Sequence, residues 1–322
     1  MQLPDFDDVL SAQARIADHL HQTPVLTSSY LNQSSGAKLF FKCENLQKTG
    51  AFKARGACNA VFGLDPSTAR RGVATHSSGN HAGALSFAAA QRDIKATVVM
   101  PHNAPATKKA AVKSYGGTVI ECEPTQAARE STLAALVAGS GADVVHPYDD
   151  TRVIAGQATC ALELIEEIPD LDIVIAPIGG GGLVSGTCLT LANRAPHIEM
   201  IAAEPANADD AYRSLQAGRI VEKDGQQSIA DGLKTNLKPR TWHFVSQYVN
   251  NILQAEEHEI IQAMYLIWQR MKIIVEPSSS VPLAAILKHQ EHFAGKRVGV
   301  IITGGNVDLH SCPGCPGAVN AS

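Results

Sequence analysis

Lys53 stands in the stretch Thr49-Gly50-Ala51-Phe52-Lys53-Ala54-Arg55-Gly56-Ala57, after an aromatic residue and before Arg-Gly-Ala. A lysine amine that sheds its proton can form a Schiff base with a carbonyl compound. Partial burial and a nearby cation both favour that loss, and Arg55 is a cation two residues away. The plain alternative is a solvated lysine opening a helix. Against it stands the company Lys53 keeps further along the chain.

Three other segments could do chemistry. Gly179, Gly180, Gly181 and Gly182 follow a β-branched run and precede a helical one. Glycines let backbone amides crowd an anion, and the helix start adds its positive end, so the physical reading is a phosphate cradle. A flexible turn and a dinucleotide site are the alternatives. Glu204 ends the next strand where a ribose-binding acid would lie, but Val184 and Ser185 stand where the third glycine is needed. A cofactor with a single phosphate fits better. Ser77-Ser78-Gly79-Asn80-His81 also follows a strand and opens a helix, which suits a carboxylate clamp or an ordinary helix cap. Thr303-Gly304-Gly305-Asn306 puts a neutral hydroxyl after another strand, or simply makes a turn.

These loops need a scaffold that ends strands in one place. Strands are expected at 38–43, 72–75, 96–100, 118–121, 172–177, 200–203 and 297–303, with helices at 81–91, 106–115, 127–138, 156–167 and 260–271. Apolar strands alternating with helices predict an α/β fold with mostly parallel sheets covered on both faces. Ligands in such folds bind at the carboxyl ends of the strands. Three compact βα units before Asp150 suggest a small sheet of their own.

Composition narrows the class. Hydrophobic residues make up 45% and charged ones 18% of 322, which suits a globular enzyme with a sizeable core. The net charge of −4, without a basic block, argues against nucleic acid. No apolar run is long enough to span a membrane and the first residues do not read as a signal peptide. Five scattered cysteines among seven suggest a reduced, cytoplasmic protein. Cys312-Pro313-Gly314-Cys315 has no second pair to complete a zinc site and reads as an irregular tail.

In order, Phe52-Lys53-Ala54-Arg55-Gly56, Ser77-Ser78-Gly79-Asn80-His81, the four glycines from Gly179 and Thr303-Gly304-Gly305-Asn306 resemble one family over nearly the whole chain. It is the pyridoxal-phosphate-dependent serine/threonine dehydratases and serine racemases, which include hydroxyaspartate ammonia-lyases. The resemblance implies a fold-type II enzyme with two open twisted sheets, a large domain of 1–71 and 150–322, and a small domain of 72–149. It implies a homodimer that takes an amino acid. Lys53 would carry pyridoxal 5'-phosphate and act as base, Phe52 would pack on its ring, and Asn80 would bind the ring oxygen. Gly179, Gly180, Gly181 and Gly182 would hold the phosphate, and Thr303 would face the pyridine nitrogen. A neutral hydroxyl cannot keep that nitrogen protonated, which favours elimination over a long-lived carbanion.

Further roles follow from the same resemblance. Ser77, Ser78 and His81 would bind substrate, with Ser78 also the acid/base of the opposite face in racemases. Arg129 and Thr235 match positions that can meet a second carboxylate, although Arg129 reads equally well as a solvated charge. Glu204, Asp210 and the carbonyl of Ala208 would bind Mg²⁺, Ca²⁺ or Mn²⁺ through oxygen; a solvated, capped turn is the alternative. The expected activity is ammonia-lyase action on L-serine, L-threonine or 3-hydroxyaspartate, with racemisation left open. A 3-hydroxyaspartate-specific lyase and a β-replacement enzyme are the competing readings. Ala51 departs from the family's usual serine, and Ser278-Ser279-Ser280 from its small apolar residues.

Overall fold

The structure is a computed structural model that describes residues 1–309 apart from Asp224 and Gln226, so Cys312 and Cys315 lie outside the described residues. Strand β1 (Val25–Leu26) pairs antiparallel with β2 (Lys38–Cys43). Then come β3 (Val73–His76), β4 (Ala96–Pro101), β5 (Thr118–Cys122) and β6 (Asp143–Val144). The last four are β7 (Ile173–Pro177), β8 (Glu199–Pro205), β9 (Asn251–Ala255) and β10 (Arg297–Ile302). One six-stranded sheet runs β1-β2-β10-β7-β8-β9, and a four-stranded sheet runs β5-β4-β3-β6. Every pair except β1–β2 is parallel.

All seven expected strands are present, with ends within two residues; β1, β6 and β9 were not anticipated. Two of these are only two residues long, too short to show a pattern. Side chains of β7 explain why such strands read as unbroken apolar runs. Ile173 and Ile175 enter the core shared with helices Glu257–Met271 and Pro277–Lys288. Val174 and Ala176 enter the core on the other face, with helices Thr151–Glu167 and Gly182–Arg194. A strand buried on both sides has no position to spare for a polar residue.

Helix Thr151–Glu167 starts five residues earlier than expected, because Asp150 accepts a hydrogen bond from the Arg152 amide and caps it. It then sets two functional segments against each other. Its Gly156 meets the Lys53–Phe62 helix backbone to backbone: a methyl there would come within 2.6 Å of the Arg55 carbonyl oxygen and of Gly56 Cα. On the other side, a methyl on Gly186 of helix Gly182–Arg194 would lie 2.6 Å from the Ala158 amide. The lysine helix and the glycine-loop helix thus pack on one rod at nearly backbone distance.

The loops named above all leave carboxyl ends of parallel strands: Ser77 follows β3, Ile178 follows β7, Ala206 follows β8 and Thr303 follows β10. Among the described residues no helix is long and apolar enough to cross a membrane.

Candidate active site

Lys53 is the first residue of its helix and lies beside the Thr303 loop. Phe52 donates its amide to the Thr303 carbonyl at 2.9 Å, and Ala51 bridges Gly304. The half-buried Lys53 Nζ donates to the Pro147 carbonyl at 2.7 Å and lies 5.1 Å from the Phe52 ring centroid. Burial brings the amine down to about 8, against the opposing pull of the Glu276 charge. Arg55 is not the cause, contrary to expectation. Its guanidinium is buried and forks onto Glu44 at 2.8 Å and 2.8 Å and onto Glu163 at 2.6 Å and 2.8 Å. Lys42 completes this cluster through Glu163. The cluster anchors the lysine helix and leaves Arg55 no part in the lysine's proton loss.

A depressed amine gives a direct prediction. Capture of an added aldehyde by the free protein should speed up as pH rises and level off above about 8, because only the neutral amine attacks. Stopped-flow absorbance against pH would read it; a midpoint near 10.5 would mean that burial does not act on Lys53.

Pro147 leads to Tyr148, which links the lysine to the glycine loop. A methyl on Gly180 would lie 2.6 Å from the Tyr148 ring, and one on Gly182 2.8 Å from its Cβ. A methyl on Gly179 would lie 2.8 Å from Leu233 Cα, and Gly181 sits at φ 84°. No side chain fits, so the loop can present only its backbone. Helix Gly182–Arg194 lacks a side-chain cap, and its first helical bond runs from the Ser185 amide to the Gly181 carbonyl. The amides before Ser185 therefore have no helical acceptor and could take up an anion.

The serine loop behaves similarly. Helix Asn80–Gln91 begins after Gly79 without a side-chain cap, and a methyl on Gly79 would meet nothing within 4 Å. Ser77 and Ser78 are half-buried beside this open space. The His81 ring, however, is buried on the Val145 carbonyl at 3.0 Å, and burial brings it down to about 3. What His81 can offer an anion here is its backbone amide.

Thr303 is buried, its hydroxyl 2.8 Å from that of Ser279. Ser279 also meets the Gly304 carbonyl and amide at 2.7 Å each. The Gly304 carbonyl can only accept, and its two lone pairs take both the Glu276 amide and the one Ser279 hydrogen, so Ser279 accepts from the Thr303 hydroxyl and leaves a Thr303 oxygen lone pair toward the cleft. The departure from small apolar residues at 278–280 thus places a hydroxyl behind Thr303. The sequence signalled the serines but not their target.

His146 was also missed. Its Nδ1 accepts from the Asp149 amide at 2.9 Å, which fixes a neutral ring with its hydrogen on Nε2. It stands edge-on to His76 and Tyr148. Burial lowers the His76 ring, and Arg129 on helix Gln126–Ser140 adds to that against Glu130; the buried Arg129 Nε has no hydrogen-bond partner. Thr235 is exposed, one residue before Asn236, whose carbonyl accepts the Tyr148 hydroxyl at 3.1 Å.

Glu204 at the end of β8 is buried and accepts from the amides of Ala211 and Tyr212 at 3.3 Å and 2.7 Å. Burial and the Asp210 and Asp209 charges push its carboxyl well up. Asp210 and Ala208 are buried beside it. Lys223 already occupies Asp209 and the Asn207 carbonyl. The inner set is two carboxylates and a carbonyl, all oxygen, which a hard cation fits. Among the described residues no group of three or more His, Cys, Asp and Glu comes together as a metal site.

The family described as "Pyridoxal-phosphate dependent enzyme" matches residues 16–304. The chain is 58% identical to the "beta-hydroxyaspartate dehydratase" of Paracoccus denitrificans, over 97% of this chain and 99% of that protein. It is 49% identical to a serine racemase of Dictyostelium discoideum, over 94% and 95%. The structure of maize serine racemase superposes with a TM-score of 0.94 at 42% identity, covering 96% of each chain.

Proposed function

The chain belongs to the pyridoxal-phosphate-dependent enzymes, and from that premise we propose that its substrate is a four-carbon β-hydroxy diacid, 3-hydroxyaspartate. It is a fold-type II ammonia-lyase that removes the β-hydroxyl of a hydroxy amino acid and yields a 2-keto acid and ammonia. The observation that carries the substrate reading is Arg129, whose buried Nε lacks a partner near the strand that leads to Ser77. A β-carboxylate would supply that partner. The 58% identity to a protein named for β-hydroxyaspartate supports the same reading.

Pyridoxal phosphate fits the site on the amine, the uncapped glycine loop and the neutral hydroxyl of Thr303, and when bound it supplies an aldehyde and an electron-accepting ring. The amides of Gly179, Gly180, Gly181 and Gly182 hold its phosphate, Phe52 lies against its ring, and Asn80 donates to its ring oxygen. Thr303 would face the ring nitrogen with a neutral hydroxyl, which cannot hold a proton there as a carboxylate would. Ser77, Ser78 and the first amides of helix Asn80–Gln91 bind the α-carboxylate, and Arg129 with Thr235 binds the second one. Lys53 takes the proton from Cα, and the β-hydroxyl departs as water. The released enamine then hydrolyses to oxaloacetate and ammonia. Ser78, on the other face, offers a second proton position, so racemisation is read in the same assay by chiral analysis.

Keto-acid release from the stereoisomers of 3-hydroxyaspartate, L-serine, L-threonine and D-serine tests the reading. Oxaloacetate from one hydroxyaspartate isomer should far exceed pyruvate from serine. A preference for serine or threonine would remove the diacid assignment, and product only with an added nucleophile would mean β-replacement.

Glu204, Asp210 and the Ala208 carbonyl bind a divalent cation in this reading. Mg²⁺ at about 100 times its dissociation constant should stabilise the fold by about 2.7 kcal/mol over protein in chelator, and raise its melting temperature accordingly. The rise should vanish in Glu204→Gln. Melting curves that do not respond to Mg²⁺, Ca²⁺ or Mn²⁺ would dismiss the site.

A further inference from the structure

Glu276 has no role in the scheme above, yet it is a buried carboxylate at the heart of the cleft. It precedes helix Pro277–Lys288 and is 5% exposed. Both its oxygens accept from the Asn80 side-chain nitrogen, at 2.9 Å and 3.1 Å. From the other side, Asn306 Nδ2 donates to Asn80 Oδ1 at 3.0 Å and to the Thr49 carbonyl at 2.8 Å.

The chemistry at the two ends fixes every amide between them. A backbone carbonyl can only accept, so Asn306 must turn its nitrogen to Thr49. The second hydrogen on that nitrogen then goes to Asn80 Oδ1. Asn80 is left with its NH₂ toward Glu276, where a carboxylate can only accept. One Asn80 hydrogen is thereby held by Glu276, and the other remains for the cleft.

We propose that Glu276 is a positioning residue: its carboxylate holds Asn80 in the one orientation that offers an amide hydrogen to the ring oxygen of the cofactor. This rests on the reading of Asn80 given above. The contact also links the two sheets, because Asn80 opens the helix after β3 of the four-stranded sheet, while Asn306 follows β10 of the six-stranded one and the Glu276 amide donates to Gly304 in the same loop.

The groups that act on Glu276 come from several elements: Asn80, Asp231, Lys108, the Asn306 backbone and, through its own response, Lys53. Burial and Asp231 push the carboxyl up, to about 7, against Asn80, Lys108 and Asn306. Protonated Glu276 can donate as well as accept and no longer dictates the Asn80 orientation, which is then ordered from the Asn306 end alone. The Glu276 share of the ordering is present above about 7 and is lost as pH falls through it.

The test uses the holoenzyme and the variants Glu276→Gln, Glu276→Asp, Asn80→Ala and the Glu276→Gln, Asn80→Ala double variant. Glutamine keeps the shape but can turn either end toward Asn80. The dissociation constant for pyridoxal phosphate should rise about tenfold in Glu276→Gln, the scale of a lost hydrogen bond to a charged group. The pH midpoint of the visible band of the lysine-bound cofactor should move down, because a negative charge near the Lys53 nitrogen is gone. Glu276→Asp, which keeps the charge, should retain most of that midpoint. The double variant should bind cofactor scarcely more weakly than Asn80→Ala alone, since both changes act through one amide.

Losses that simply add, or an unmoved dissociation constant and midpoint in Glu276→Gln, would overturn the proposal. Cofactor bound as tightly by Asn80→Ala as by the unaltered protein would overturn the reading of Asn80 and this proposal with it. If Glu276→Gln does not fold, Asn306→Ala breaks the other end of the relay at an exposed side chain. Additive losses of Asn306→Ala with Asn80→Ala would then overturn the proposal, and non-additive losses would support it.

Discussion

Lys53→Ala is expected to release keto acid at least about 10³-fold more slowly than the unaltered protein, because one side chain supplies both the covalent anchor and the proton carrier. The same variant should lose its visible band on dialysis, with the cofactor held only by non-covalent contacts. Compared with the unaltered protein in the absence of cofactor, its melting temperature should not fall. Lys53 makes a single bond to the Pro147 carbonyl, while the helix that carries it is anchored through Arg55, Glu44 and Glu163. Arginine at 53 should not rescue turnover, since a guanidinium keeps its proton at working pH. A Lys53→Ala protein with an undiminished rate would dismiss the mechanism altogether, whatever the substrate.

The second large effect concerns selectivity. In Arg129→Met, kcat/KM for 3-hydroxyaspartate should fall about 10- to 100-fold, the scale of a hydrogen-bonded charge pair, while that for L-serine changes less than about threefold. A lysine at 129 should recover part of the loss, since it restores charge but not the two-pronged geometry. The difference between the two substrates is the informative quantity. Equal losses would make Arg129 a structural residue of the Gln126–Ser140 helix, and no loss on either would return it to solvent.

Much of this site was legible in the chain before any fold was known. Lys53, the glycine loop, the serine loop and the Thr303 loop each follow or flank a strand, and their residue types restrict what they can bind. Other residues were legible only as types. In the sequence Glu276 is no more than a residue before a proline, and Ser279 one serine in a run. His146 and Tyr148 lie after β6, a strand of two residues that leaves no pattern to read. Tyr148 nevertheless closes over Gly180 and Gly182.

Arg55 shows the same limit from the opposite side. Sequence proximity made it a neighbour of Lys53, but a helix turns residues two apart to different faces. Its partner Glu163 is 108 residues distant, and Asn80 finds Glu276 across 196. By itself the sequence determined the alternation of buried strands and helices, and with it the set of loops gathered at the strand ends. It also determined the chemical kinds those loops carry: an amine, bare amides and a neutral hydroxyl. Only the tertiary structure decided which charges meet. Strand periodicity is local, whereas the pairing of buried charges depends on which distant segments pack together, and burial only partly offset by the Glu276 charge is what brings the Lys53 amine down to about 8.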